Sequence, residues 1–224
     1  MTVVKTVAAY EIVQAVFPHP VTERDELGIA VGKAIDGALS RYSHEFNESR
    51  RPTAAAMNRL ASEMLDEGLA ETSVTLTAAD REKELTQVAG VLQAFRRSEV
   101  MGMRRPKSRL VLVNDRAGFY AQPDYWNGRD IFYEMKSYRA DPIPPAVDLQ
   151  LRLFQLAFPR FRAILASFDR HATPVTTSLV EIGRMEAAES DRILHLALST
   201  ALTLGKDKVL EYVDSPILRY TIGE

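Results

Sequence analysis

This 224-residue sequence predicts an α/β fold, a mixed sheet core flanked by helices and preceded by a helical N-terminal stretch. Three observations lead there. Apolar residues recur at helical spacing up to Arg97, the pattern then switches between Ser108 and Tyr138 to short segments rich in β-branched and aromatic residues, and a helix, two strand-like segments and a last helix follow. Hydrophobic residues at 46% and charged residues at 26% are ordinary for a globular chain, and the length suits one principal domain with a sizeable core.

After an opening helix or extended arm, LGIAVGKAIDGALSRYSHEF places Leu27, Val31, Ala34, Ile35, Ala38 and Leu39 near helical spacing, with Asp25 or Thr22 on its N-cap side. Pro52 punctuates the next connection. In TAAAMNRLASEMLDEGLAE, Met57, Leu60, Met64 and Leu65 share one helical face, and Gly68 is placed to end the helix. Thr77 or Asp80 caps AADREKELTQVAGVLQAFRR, whose apolar stripe is Leu85, Val88, Leu92 and Phe95.

SRLVLVND, GFYAQPDYW and RDIFYEMKSY, separated by Asn114-Asp115-Arg116 and by Asn127-Gly128, predict three neighbouring antiparallel strands. Asn127-Gly128 is a hairpin signal because both residues tolerate positive φ, and Pro123 makes the preceding strand irregular or places it at an edge. After DPIPP, AVDLQLRLFQLAFP reads as a helix with Val147, Leu151, Phe154 and Leu156 or Phe158 inward, stopped by Pro159. RAILASFDR and TTSLVEI read as strands. Residues 184–204 read as a helix with Met185, Ile193, Leu196 and Leu204 apolar, and Gly205 terminates it. No internal repeat is visible, and the chain divides into an N-terminal helical region at 1–76 and a core with its C-terminal helix at 77–224.

No stretch approaches the roughly eighteen apolar residues of a membrane span, and the N-terminus lacks a long apolar segment leading to a cleavage site. The expectation is a cytoplasmic protein with no membrane partner. The absence of cysteine excludes a disulfide, a cysteine nucleophile, a thiolate zinc site and an iron–sulfur cluster within the chain. A net charge of −2 supplies no global field for nucleic acid, so a phosphate-binding surface has to be local. Ala94–Arg109 offers one: Arg96, Arg97, Arg104, Arg105, Lys107 and Arg109 stand against the single acid Glu99, directly before the segment with the chemical motif. The alternative for such a run is a solvated connector.

In GFYAQPDYWNGRDIFYEMKSY, nine residues separate Asp124 from Glu134, and Lys136 follows two further on. The period of two in a strand puts Glu134 and Lys136 on one face. If Asn127-Gly128 turns the chain back, Asp124 comes close to Glu134 on the partner strand, giving hard oxygen ligands for Mg²⁺ or Mn²⁺ with the Met135 carbonyl and waters. A metal so held lowers the pKa of a bound water and neutralises charge on a phosphodiester under attack. Lys136 between carboxylates stays protonated, which favours an electrostatic role over that of a general base. On the following helix Gln150 interrupts Leu149, Leu151 and Leu153 with a group that can donate to phosphate or order the lysine. The alternative is a solvated strand face on which Glu134 and Lys136 form an ion pair and Asp124 caps a turn.

Pro123-Asp124, Glu134-Met135-Lys136 and Gln150, in this order of elements, resemble the PD-(D/E)XK nuclease superfamily, in particular its RecB-like/Cas4-like branch. The resemblance covers roughly Thr77 to Asp169 and more faintly the N-terminal half. It implies a restriction-endonuclease-like mixed sheet core flanked by helices with an N-terminal helical extension, and metal-dependent hydrolysis of DNA in processing, recombination or repair. A helicase or recombination-protein partner is compatible with it. That branch often has Tyr four residues after the Gln, where this chain has Phe154. It also often has an upstream Gly-x-x-x-His, where Gly28-Ile29-Ala30-Val31-Gly32 puts Gly32 in the place of the His. Cas4-like members usually carry four cysteines for an iron–sulfur cluster, and this chain would be a relative without one.

The histidines His19, His44, His171 and His195 show no ligand spacing, though His44 is a candidate for the missing ligand. Tyr120, Tyr125, Trp126 and Tyr138 surround the motif. Exposed rings there, Tyr125, Trp126 and Tyr138 in particular, could stack on unpaired bases, or equally form a packing cluster. Glu82 and Glu84 read as exposed helix residues. The rival function is a non-catalytic nucleic-acid-binding or assembly protein on the same fold.

Overall fold

Strand β1 (Val3–Ala8) opens the chain with Val4 and Val7 buried, a half-buried strand that the sequence leaves as a helix or arm. The computed structural model describes residues 3–18, 23–45, 53–98, 100, 103–210 and 216–220. Helices α1 (Ala9–Val16), α2 (Glu23–Glu45), α3 (Ala54–Ala70) and α4 (Ala78–Arg97) follow. Then come β2 (Arg109–Leu112), β3 (Ala117–Ala121), β4 (Tyr125–Trp126), β5 (Ile131–Lys136), α5 (Pro145–Ala157), β6 (Arg162–Asp169), β7 (Thr176–Ile182), α6 (Ala187–Leu204), β8 (Lys206–Val209) and β9 (Ile217–Arg219). The architecture is the expected α/β one: two mixed sheets flanked by helices, with helices filling most of the N-terminal region. Among the described residues no helix is long and apolar enough to cross a membrane.

One sheet has the order β8-β1-β3-β2-β9 and the other β4-β5-β6-β7. The expected run of three neighbouring antiparallel strands is corrected to two hairpins in different sheets. β2 pairs antiparallel with β3, β4 pairs antiparallel with β5, and the break between β3 and β4 falls at Gln122-Pro123-Asp124. Pro123 has no N–H for a ladder, so the chain leaves one sheet at Ala121 and resumes pairing at Tyr125 in the other. β1 pairs in parallel with β3, which places the first strand of the N-terminal region inside a sheet of the later one. β5 and β6 run parallel, joined by α5, because a parallel crossover needs a connection of about a dozen residues or more.

Alternation along β5 and β6 divides the core. Phe132, Ala163 and Leu165 pack with Leu151, Phe154 and Phe158 of the α5 region, while Tyr133, Ile164, Ala166 and Phe168 pack with residues of α2, α3 and α4. The four-stranded sheet is thus covered on one face by α5 and on the other by the N-terminal helices.

Thr77 caps α4 as expected, its hydroxyl accepting from the Asp80 N–H at 3.2 Å. Gly68 does not end α3, which runs on to Ala70. A Cβ at Gly68 would lie 2.6 Å from the Ala30 carbonyl oxygen of α2, so the glycine serves the close approach of two helices. Gly205 does close α6, donating its N–H to Ala201 at 2.9 Å. Asp25 lies inside α2, and Thr22 and Pro52 fall outside the described residues.

Candidate metal centre

β4 is two residues long, paired as Tyr125↔Tyr133 and Trp126↔Phe132. Carried on, this register sets Asp124 beside Glu134 and Pro123 opposite Met135. Pro123 has no N–H to offer the Met135 carbonyl, and the Met135 N–H donates instead to Asp124 Oδ2 at 2.7 Å. The connection that makes this possible is a four-residue loop, 127–130, rather than a two-residue hairpin: the Asn127 N–H donates to the Ile131 carbonyl at 3.1 Å. Asn127 Oδ1 accepts from the N–H groups of Arg129, Asp130 and Ile131 at 2.9, 3.0 and 3.1 Å, and Gly128 takes the positive φ of 76°.

Glu134 and Lys136 share the face of β5 that looks toward α5. Lys136 Nζ donates to Glu134 Oε1 at 2.7 Å and to Gln150 Oε1 at 3.1 Å. Asp124, Glu134, Met135, Lys136 and Ser137 line a cavity of about 210 Å³, with Gly32, Ile35, Asp36 and Leu39 of α2, Val91 of α4 and Phe168 of β6 on its other walls. Glu134 is only 3% exposed, and its Oε2 is buried with no hydrogen-bond partner among the described residues.

Burial, and then the Glu134 charge, push the Asp124 carboxyl well above the usual carboxylate range, against the pull of Lys136 and of the Met135 N–H. For Lys136, burial disfavours the ammonium, but the charges of Glu134 and Asp124 and the hydrogen bond to Glu134 outweigh it and hold the group above its ordinary value. The lysine is therefore a cation. Arg105 is held above its ordinary value too, burial being outweighed chiefly by Asp36 and Asp124.

A half-satisfied buried carboxylate is costly, and Glu134 and Asp124, which line one cavity, could hold a cation that would satisfy it. With the Met135 carbonyl on the same strand edge, the donors are hard oxygens suited to a cation that keeps several waters. Among the described residues no group of three or more His, Cys, Asp or Glu converges as metal ligands. A cation held here would have two carboxylates, Asp124 and Glu134, as its acidic side chains, a donor set whose chemistry suits Mg²⁺ or Mn²⁺.

The other sequence candidates are dispersed. Arg104 pairs its backbone with Trp126, at 3.1 and 2.8 Å, and its side chain is exposed, as is that of Lys107. Arg105 is engaged by Asp36. Arg96 is half-buried, and Arg97 lines a separate cavity of about 480 Å³ with Gln87, Gln93 and Arg170. Tyr125 is buried against Phe95, ring centroids 5.5 Å apart, so its ring cannot stack on a base. Trp126 is half-buried and stacked on Phe161 at 5.7 Å, whereas Tyr138 is 37% exposed just beyond β5. Phe154, where the resemblance leads one to look for Tyr, is buried edge-on to Phe132. Glu82 lines the second cavity, and Glu84 is buried on α4. His171 and His195 are exposed; His19 and the side chain of His44 lie outside the described residues.

Gly32 does line the cavity, and a Cβ there would meet nothing within 4 Å. Sequence reading missed Asp36. Its signal is spacing: Gly32, Ile35, Asp36 and Leu39 fall at the i, i+3, i+4 and i+7 positions of one helical face, so an acid sits in an otherwise apolar stripe.

No family profile matches the chain, and no curated protein does. Among solved structures, it is similar to a candidate exonuclease from Eubacterium rectale, with 10% identity over 88% of this chain and 92% of that one and a TM-score of 0.42. It is also similar to the alkaline exonuclease LHK-Exo of Laribacter hongkongensis, with 18% identity over 76% of this chain and 91% of that one and a TM-score of 0.37. The same enzyme in complex with dAMP matches with 16% identity over 81% and 93% and a TM-score of 0.37.

Proposed function

We propose that this chain is a divalent-metal-dependent deoxyribonuclease of the PD-(D/E)XK superfamily, on its RecB-like/Cas4-like branch without the iron–sulfur cysteines. The observation that carries the reading is the buried Glu134 carboxylate, on a residue that lines one cavity with Asp124: one oxygen is held by Lys136, and the other has no hydrogen-bond partner among the described residues. Asp124, Glu134 and the Met135 carbonyl would hold Mg²⁺ or Mn²⁺, which activates a water and neutralises phosphate charge when bound. The Met135 N–H orients Asp124 so that Oδ1 is left for the cation. Lys136, kept protonated, stabilises the charge that develops on the phosphate, and Gln150 holds Lys136 from the α5 side. Arg104, Lys107 and Tyr138 are exposed side chains from the segments that border the centre, suited to phosphate contact and to base stacking. The helical region at 1–76 forms one wall of the cavity through α2.

A non-catalytic nucleic-acid-binding or assembly protein on the same fold is favoured by one observation, the Arg105 guanidinium set toward Asp124 where a metal would be bound. Incubation with linear, circular, single-stranded and duplex DNA in chelator, Mg²⁺ and Mn²⁺ separates the two. Cleavage only with divalent metal, lost in well-folded Asp124→Ala and Glu134→Ala variants, is the expected result. Failure to cut any substrate despite measured metal binding would leave the binding-protein reading.

A further inference from the structure

Arg105 lies in the connection between α4 and β2, next to Arg104, whose backbone is paired with Trp126 of β4. Its Nη2 donates to both oxygens of Asp36, at 3.0 and 3.3 Å, and its Nη1 to Ser40 Oγ at 3.4 Å, so α2 grips the guanidinium at three points. The same Nη2 stands 3.9 Å from Asp124 Oδ1. Asp124 Oδ2 is already taken by the Met135 N–H. The Asp124 oxygen left for a cation is therefore the one that Arg105 faces.

Asp36, Asp124 and Glu134 thus line one cavity, with Lys136 paired to Glu134, and Arg105 paired to Asp36 and facing Asp124. A dication at Asp124 Oδ1 and a guanidinium within a few ångström repel each other and seek the same lone pairs.

Resting on the metal-centre reading above, we infer that Arg105 is a built-in competitor for the metal. Bonded to Asp36, it stands over the free oxygen of Asp124 while the centre is free of metal, and it must withdraw from that oxygen when a divalent ion binds. Metal affinity is then the difference between two cations' hold on the same carboxylates. A concentrated dication can displace the guanidinium where a monovalent ion cannot, which makes Arg105 a determinant of selectivity for charge.

Calorimetric titration of Mn²⁺ into wild type, Arg105→Gln and Arg105→Lys tests this at low ionic strength. Arg105→Gln is expected to bind Mn²⁺ about tenfold to a hundredfold more tightly, the order expected for removing one unit charge from a partly screened site, and Arg105→Lys to stay within about threefold of wild type. The rise in Tm on adding Mn²⁺ should be larger in Arg105→Gln than in wild type, a readout independent of cleavage. Equal or weaker Mn²⁺ binding by Arg105→Gln, with wild type binding normally, overturns the inference and leaves the metal centre standing. Absence of Mn²⁺ binding in all three proteins overturns the metal centre and the inference with it.

Discussion

Replacing Lys136 by Met removes an ammonium bonded to Glu134 Oε1 at 2.7 Å and to Gln150 Oε1 at 3.1 Å while keeping most of the side chain's bulk. Glu134 is 3% exposed and its Oε2 has no partner among the described residues, so the variant strips its carboxylate of the side-chain donor it has. Breaking one member of a buried ion pair costs about 3–5 kcal/mol. The expected loss in chelator is of that size, about 6–20 °C in Tm for a domain of this size. Saturating Mn²⁺ gives Glu134 a new counter-charge and restores part of the loss. Cleavage should nevertheless drop by about tenfold to a thousandfold with much of the metal affinity kept, since Lys136 is not a ligand. Urea denaturation in chelator and in Mn²⁺ measures the first effect; single-turnover cleavage at saturating metal and DNA measures the second. A stability within about 1 kcal/mol of wild type would refute the buried-pair reasoning, and a near-wild-type rate would refute the catalytic role of Lys136.

Asp124 titrates above the usual range because burial and Glu134 disfavour its charge, so its proton is bound more tightly in the folded chain than in the unfolded one. Protonated Asp124 then stabilises the metal-free fold at acid pH, and that contribution is lost as the pH rises through the raised value. Melting in chelator should show wild type gaining on Asp124→Asn as the pH is lowered from neutral, and a difference flat with pH would count against it. Gly68→Ala should destabilise by about 1–3 kcal/mol despite the better helix propensity of Ala, because a Cβ would come within 2.6 Å of the Ala30 carbonyl. A neutral or stabilised variant in urea denaturation would show that α2 and α3 can part easily. Neutralising Arg96, Arg97, Arg104 and Lys107 together should weaken DNA binding with little sequence preference and flatten its salt dependence. An unchanged salt slope would place DNA elsewhere.

The local elements were legible where their signal is local. The stripe of Val88, Leu92 and Phe95 and the Thr77 cap define α4 within one stretch of chain, and alternation along Ile131–Lys136 puts Glu134 and Lys136 on one face. Gly68 was misread because a glycine near the end of an apolar pattern looks the same whether it stops a helix or admits a second one. β8 escaped notice because its Lys206, Asp207 and Lys208 suit an exposed edge strand rather than a buried one, and its partner β1 lies at the other end of the chain.

The sequence by itself determined the α/β class, the turn signal at Asn127-Gly128, the absence of cysteine and the strand period that puts Glu134 and Lys136 on one face, since each depends on residue type and on spacing within a short segment. Tertiary structure alone decided that the strands around Pro123 divide between two sheets, that Tyr125 is buried while Tyr138 is exposed, and that one Glu134 oxygen has no hydrogen-bond partner among the described residues. It also decided that Arg105 meets Asp36, 69 residues away in the chain. The physical reason is that spacing sets which face of its own element a side chain occupies. Only the closure of distant elements on one another sets which strand edge stays unpaired and which charges come to face each other.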